Sequence, residues 1–343
     1  MTAMGQTAER LHWVDIAKGI LIILVVYGHL DFFASFYADT HAYDFKSTTN
    51  FLFLPYYMPA FFILTGLCAN YEAAVWPFVK RNLLTLIVPC VLIGCVVKKW
   101  LELFFNEGIS YQNFFNVSYV SPQKMAWFLC ALFFAKLLFY AVHHISLHTS
   151  RQKVSLIVGC SVLFLAGIVL YNESVANPLY YQHGMMALPF IAIGYLARPY
   201  RHLFEYRTAA VIGLVAIWYC YRHLYPYLNA LPVVTLADSW LFLILSTAGS
   251  MLVFFLCVKM RQCNWLESAG RHSLVVYLIH QPVMVFLIKL SKMAGADAWS
   301  LLLRVAMAVV IVAVTTLVCV LVSKGIDRYF PLLKGKLPTS AKS

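Results

Sequence analysis

The stretch RLHWVDIAKGILIILVVYGHLDFF, Arg10 to Phe33, decides how the rest of the chain is read. About 20 apolar residues cross a hydrocarbon core of roughly 30 Å, and the run from Trp13 to Phe33 has that length while also holding Asp15, Lys18 and His29. A charge at the centre of a span costs roughly 2.5 to 3.5 kcal/mol on insertion scales, so each such residue is a functional candidate. At about 100° per residue, Lys18 and His29 come within roughly 20° of the same direction and stand roughly 16 Å apart along the axis. Asp15 falls within about 60° of Lys18 on that face, close enough to pair with it. Each residue taken alone has a structural account: Lys18 snorkels to an interface, Asp15 balances it, and His29 packs with a hydrogen bond. Their alignment on one face favours a ligand channel. Asp15 and Lys18 ahead of the apolar core, with no small-residue cleavage site behind it, make this a retained first helix instead of a signal peptide.

The same kind of run recurs throughout the 343 residues, of which 62% are AVILMFWYC and 12% are charged. Soluble chains average roughly half apolar and about a quarter charged. With a mean hydropathy of +0.76, the chain reads as an integral membrane protein forming one unit, residues 1–343. Spans are expected near 13–33, 52–70, 80–101, 124–142, 153–171, 183–198, 208–226, 237–257, 271–291 and 298–322, followed by a basic tail over 323–343. No ten-residue alternation appears, so the fold class is all-α, a polytopic bundle of about ten transmembrane helices, and not a barrel.

The net charge of +12 bears on topology before it bears on nucleic acid, which is not expected as a partner. With the N-terminus inside, 16 of the 26 Lys and Arg fall in inner segments and seven in outer ones, whereas most acidic residues fall outside. Both termini are therefore expected to be cytoplasmic. Part of the inner charge can also serve an anionic ligand. The nine cysteines, odd in number and lacking CxxC spacing, read as reduced packing residues.

Beyond the first helix, MPAFFILTG (Met58 to Gly66), Lys80 and Arg81 followed by Pro89, WFLCALFF (Trp127 to Phe134), LPFIAIGYL (Leu188 to Leu196) and GRHSLVVYLIHQP (Gly270 to Pro282) occur in order. With Arg10, Trp13, Asp15, Lys18, Gly19 and His29, the sequence resembles the membrane-bound acyltransferase 3 family, marked by a basic residue, ten residues, then a histidine. The flavour is similar to its stand-alone, fucose 4-O-acetylase-like branch. The resemblance implies transfer of an acyl group, acetyl being the expected one, from cytoplasmic acetyl-CoA to a hydroxyl of a glycan or lipid-linked sugar at a bacterial inner membrane. Some members carry an appended extracytoplasmic domain. Here only the basic tail after Ser323 follows, so the membrane unit is expected to act alone.

The chemistry supports particular residues. Transfer from a thioester to a sugar hydroxyl needs a base with a near-neutral pKa, which histidine supplies. His29 is the candidate, with Asp15 on its face and His280 the next catalytic candidate. It either deprotonates the hydroxyl directly or is first acylated itself. Lys18, Lys80, Arg81 and Arg151 lie on the inner side, where donor phosphates would require clustered cations. Ser273, Tyr277 and His280, spaced by four and three, share a helical face and either line the channel or make an interhelical contact. Lys136 and Arg304 interrupt apolar runs and are expected to face the bundle, with Lys136 held as a channel residue.

On the outer side, Asp31, Tyr56, Tyr57, Trp127 and Asp238 supply the aromatic faces and carboxylates that sugars use, although Tyr and Trp also populate interfacial belts. Trp127 is expected to be a substrate residue. His143, His144 and His148 share a loop without an acidic or cysteine partner, so no metal is expected. The competing function is a sugar-lipid flippase or transporter in which Lys18, His29 and His280 form a relay. Neither internal repeats nor paired broken helices, which such carriers usually show, are evident in the sequence.

Overall fold

The computed structural model describes residues 11–30, 56–98, 127–173, 175–219, 236–260, 262–296 and 299–335. Within them the regular structure is helical. In chain order the helices are α1 (His12–Gly28), α2 (Tyr56–Cys68), α3 (Val75–Val97), α4 (Trp127–Leu147), α5 (Gln152–Asn172), α6 (Tyr181–Met186), α7 (Leu188–Leu196), α8 (Arg207–Tyr219), α9 (Leu236–Lys259), α10 (Asn264–Arg271), α11 (Ser273–Met293) and α12 (Leu301–Tyr329). Six of them, α3, α4, α5, α9, α11 and α12, are long and apolar enough to cross a membrane. Large apolar side chains such as Val162, Ile244, Leu302 and Val309 are more than half exposed, as expected where lipid covers the surface. The chain is a multi-pass membrane protein.

Two expected spans and the expected tail differ in the structure. The span expected over 183–198 is two short helices, α6 and α7, interrupted at Ala187 just ahead of Pro189, which lacks a backbone donor. The span expected over 271–291 starts at Ser273, because His272 (φ −102°, ψ 7°) separates it from α10. The expected tail from 323 is helical to Tyr329. A tight turn over Pro331–Lys334 then folds back, and Lys334 Nζ donates to Asp327 Oδ2 at 2.7 Å and Ser323 Oγ at 2.6 Å. Helix α3 is wound loosely over Leu83–Ile87 and Cys90–Val97, on either side of Pro89. Such widened turns recur at functional sites.

Helix α1 lies at the centre, packed against α9, α10, α11 and α12. In lipid, helices associate by close packing because the hydrocarbon outside is as apolar as the interface. Two glycine crossings supply it. A Cβ on Gly19 would fall on the backbone of Leu266 in α10, and one on Gly270 would fall on the carbonyl of Asp15. At the second crossing, Gly66 of α2 meets Ile191, and Gly194 of α7 meets Ile63. These glycines belong to the motifs quoted above, so the motifs dock their helices in pairs. Arg198 closes the second crossing by donating to the Gly66 carbonyl at 2.8 Å and to the Ala69 carbonyl, while its guanidinium lies 4.6 Å from the Tyr195 ring centre.

Candidate functional site

The face of α1 that carries Asp15 and Lys18 continues through Ile22 and Val25, and these four residues line one wall of a cavity of about 810 Å³. The spacing of three, four and three is that of a single helical face. Helix α2 contributes Met58, Phe61 and Thr65, α3 contributes Arg81, α4 contributes Phe128 and Lys136, and α11 contributes Ser273 and Tyr277. The cavity thus gathers the N-terminal end of α1, the C-terminal end of α2 and the N-terminal ends of α3 and α11. Its cationic groups are Lys18, Arg81, Lys136 and Arg271, with Asp15 and Asp327 as carboxylates. Lys18 and Arg81 both act electrostatically on Lys136, so three cations from three helices share one space. Such a cluster suits a polyanion, since phosphate oxygens offer each cation a charge-assisted hydrogen bond.

Of the cations expected from the sequence, Lys18, Arg81 and Lys136 meet here, whereas Lys80 and Arg151 are exposed and are not among the lining residues. Lys80 precedes Arg81 on α3, where neighbouring positions point about 100° apart, and Arg151 sits at the start of α5. Arg271, Asn70, His272 and Asp327 also line the cavity and were not singled out in the sequence. Arg271 and His272 had a signal, since they lie within GRHS beside Ser273. Asp327 had none, because its contribution depends on how α12 crosses α11.

His29 continues the α1 stripe one turn beyond Val25, and its Nδ1 lies 2.7 Å from the Val25 carbonyl. A carbonyl can only accept, so Nδ1 carries the proton and the lone pair of neutral imidazole is on Nε2. On α11, His280 lies three residues beyond Tyr277, with its Nδ1 2.9 Å from the Tyr277 carbonyl and 3.0 Å from that of Val276. The same reasoning leaves the His280 lone pair on Nε2, a buried atom with no hydrogen-bond partner among the described residues. The two rings meet edge to face, with centroids 4.7 Å apart. Below them the Tyr277 hydroxyl accepts from the Phe128 N–H at 3.3 Å. Lys98, counted in the sequence only as an outer charge, is buried, and its Nζ donates to Gln281 Oε1 at 2.5 Å, next to His280.

Trp127 does not line this cavity. It borders a second one of about 400 Å³ with Phe62, Tyr180, His183 and Phe242, and Met58 lines both. Tyr56 and Tyr57 are buried in the core, not spread along a surface belt, while Asp31 and the side chain of Asp238 lie outside the described residues. Arg304 is buried in α12. His143 stacks on Phe139, the Nε2 of His144 lies 3.1 Å from the Tyr71 carbonyl, and His148 is exposed. The His143 and His144 rings lie 5.5 Å apart within α4, not in the expected loop, and His148 lies beyond the helix end. Among the described residues no group of three His, Cys, Asp or Glu side chains is placed to hold a metal.

The arrangement therefore combines a cation-lined cavity suited to a polyanion with two imidazoles that do not line it but lie one turn past its last lining residues on α1 and α11. A phosphate-bearing molecule held by the cations can extend toward a base there. Comparison with known proteins agrees on the class of chemistry: the acyltransferase 3 family model, described as an acyltransferase domain, matches residues 11–324. No curated protein and no solved structure matches the chain.

Proposed function

The chain belongs to the acyltransferase 3 family, and from that premise we propose that it carries an acyl group, acetyl in the simplest case, from acyl-CoA to a sugar hydroxyl. The donor's phosphates are held by Lys18, Arg81, Lys136 and Arg271. Its thioester reaches inward along Ile22 and Val25 to His29. The acceptor is a glycan or lipid-linked sugar, a reading supported by the likeness of the sequence to the fucose 4-O-acetylase-like branch. The cation-lined end faces the cytoplasm of a bacterial inner membrane, with both termini inside, because the basic residues concentrate there.

In this reading His29 Nε2 accepts the proton of the acceptor hydroxyl as its oxygen attacks the thioester carbonyl. The C–O bond forms and the C–S bond breaks. The proton passes from His29 to the departing thiolate, so the products are the O-acyl ester and free CoA, with the base regenerated. The Val25 carbonyl holds the Nδ1 proton and also stabilises the imidazolium that forms in between. His280, packed against the ring of His29, fixes its orientation. Lys80 and Arg151 have no part in donor binding.

The observation that carries the proposal is the single stripe Asp15, Lys18, Ile22, Val25 and His29, which lines the cavity with four residues and ends on a histidine of fixed tautomer. The test is purified protein in lipid vesicles with acetyl-CoA labelled in the acetyl group and a membrane extract as acceptor source. Label should move to the acceptor fraction with release of one CoA per acetyl transferred. Movement of acceptor across the membrane without acylation would instead establish a carrier.

A further inference from the structure

The second cavity is separated from the donor cavity by a thin wall. Met58 lines both spaces. Phe128, which lines the donor side, packs against Phe62 at 5.1 Å and Trp127 at 6.1 Å between ring centroids, and both of those rings line the other side. The described lining of the second cavity includes no Asp, Glu, Lys or Arg. Among its polar groups, His183 Nδ1 pairs with Asn177 Nδ2 at 2.9 Å, and the His183 ring is boxed by Trp127, Tyr171 and Tyr180. Tyr180 is held there by a left-handed backbone, φ 57°, following Leu179 at φ 54°. Two consecutive non-glycine residues in that region are strained and persist where the surroundings impose them.

A pocket lined mainly by apolar and aromatic side chains disfavours a sugar, most of whose hydroxyls would be left without partners, and disfavours any charged group, even though Trp127 offers a ring face. It accepts hydrocarbon. We infer that this cavity is an acyl-chain pocket, entered past Met58 from the donor cavity, which admits acyl groups longer than acetyl and confers a chain-length preference on the enzyme. The inference rests on the reading of the first cavity as an acyl-CoA site. The flexible, unbranched methionine at the junction is suited to yielding to a chain of variable length.

The test is competition of unlabelled acetyl-, butyryl-, hexanoyl- and octanoyl-CoA against labelled acetyl-CoA on the full-length protein in vesicles, corrected by protein-free vesicles of the same lipid. Each methylene transferred from water to the pocket improves affinity by about fourfold, so the four extra methylenes of hexanoyl-CoA should tighten binding over acetyl-CoA by up to about 250-fold, with the gain ending once the cavity is full. Ala187, buried in the pocket wall, narrows the space as Ala187→Phe and should bring the hexanoyl-to-acetyl ratio close to one. Phe242→Ala widens it and should move the limit to a longer chain. Equal affinity for all four esters, or a gain that neither variant alters, overturns the inference while leaving the donor site intact. If no ester binds, acetyl-CoA included, the donor reading fails and the pocket assignment fails with it. Should Ala187→Phe not fold, the wild-type series and Phe242→Ala decide.

Discussion

The imidazoles of His29 and His280 stand edge to face, with centroids 4.7 Å apart and planes at 74°, although 251 residues separate them in the chain. Each ring is anchored through Nδ1 to a carbonyl of its own helix one turn back, Val25 for His29 and Val276 for His280. The two helices therefore present histidines of the same tautomer where their cavity-lining stripes end. His29 extends the stripe that carries the cations, whereas His280 is fully enclosed and reaches the reaction through its neighbour.

That difference separates their roles experimentally. His280→Phe keeps an aromatic edge against His29 and should stay within about tenfold of wild-type turnover with an unchanged pH profile. His280→Ala leaves the His29 ring unsupported and should lose about a hundredfold, the scale expected when a reacting group is misplaced by about 1 Å. Rates for the two variants across pH 5.5 to 8.5 check this. If the Phe variant is as inactive as the Ala variant, His280 takes part in proton transfer itself.

Donor affinity should divide the cations by whether they line the cavity. Lys18→Ala, Arg81→Ala and Arg271→Ala should each raise the apparent Kd for acetyl-CoA by about tenfold, in line with 1.5–3 kcal/mol for a charge-assisted hydrogen bond partly offset by solvent. Turnover at saturation should change little, because phosphate contacts distant from the thioester hold ground and transition states alike. Lys80→Ala and Arg151→Ala should remain near wild type. Titration of labelled acetyl-CoA against the five variants decides, and a loss on Arg151→Ala equal to that on Arg81→Ala would contradict the placement.

The glycine crossing of α1 with α10 should be sensitive to single carbons. Gly19→Ala or Gly270→Ala sets a methyl against backbone atoms of the facing helix, and such overpacking costs typically 1–3 kcal/mol. Gly325, whose Cβ would meet nothing nearby, should accept alanine without loss. Thermal unfolding of the three variants in detergent measures the difference, with a drop of several degrees expected only for the first two.

Acid should loosen the join between α10, α11 and the end of α12. Burial, reinforced by the Lys334 charge and opposed by Asp327, holds His272 below the ordinary histidine value of 6.5. Its Nδ1 lies 2.8 Å from Ser323 Oγ. The folded protein therefore binds fewer protons here than the unfolded chain, and the stability this confers is present above about pH 6.5 and lost as the pH falls through it. Melting temperature should decline between pH 8 and pH 5.5, and His272→Gln should flatten that decline. An equally steep decline in the variant would assign the acid sensitivity to another group.

Much of this was legible in the sequence for a simple reason: helical periodicity is local. The 3.6-residue repeat puts Lys18 and His29 on one face wherever α1 lies, and the structure lines the cavity along that face. Ser273 and Tyr277 followed the same rule. What could not be read was set by how separate helices cross. Lys80 and Arg81 are equally basic in sequence, yet only Arg81 turns into the cavity. Lys98 falls in the expected span 80–101 and counts only among the outer charges, yet it is buried against Gln281, and Asp327 enters the site only because α12 runs on past the expected membrane boundary. The division of 271–291 at His272 was hidden because an apolar run does not record a backbone turn at a residue that suits either side.

The most direct measurement of the central claim concerns His29. Losing a positioned general base typically costs about 10² to 10⁴ in rate. His29→Gln preserves a side chain that can hydrogen-bond but cannot take a proton at neutral pH, so it should bind acetyl-CoA with wild-type affinity while transferring acetyl at no more than about one hundredth of the wild-type rate. A His29→Gln protein that folds, binds donor and keeps most of its transferase activity would contradict the account and make His29 a structural hydrogen-bonding residue.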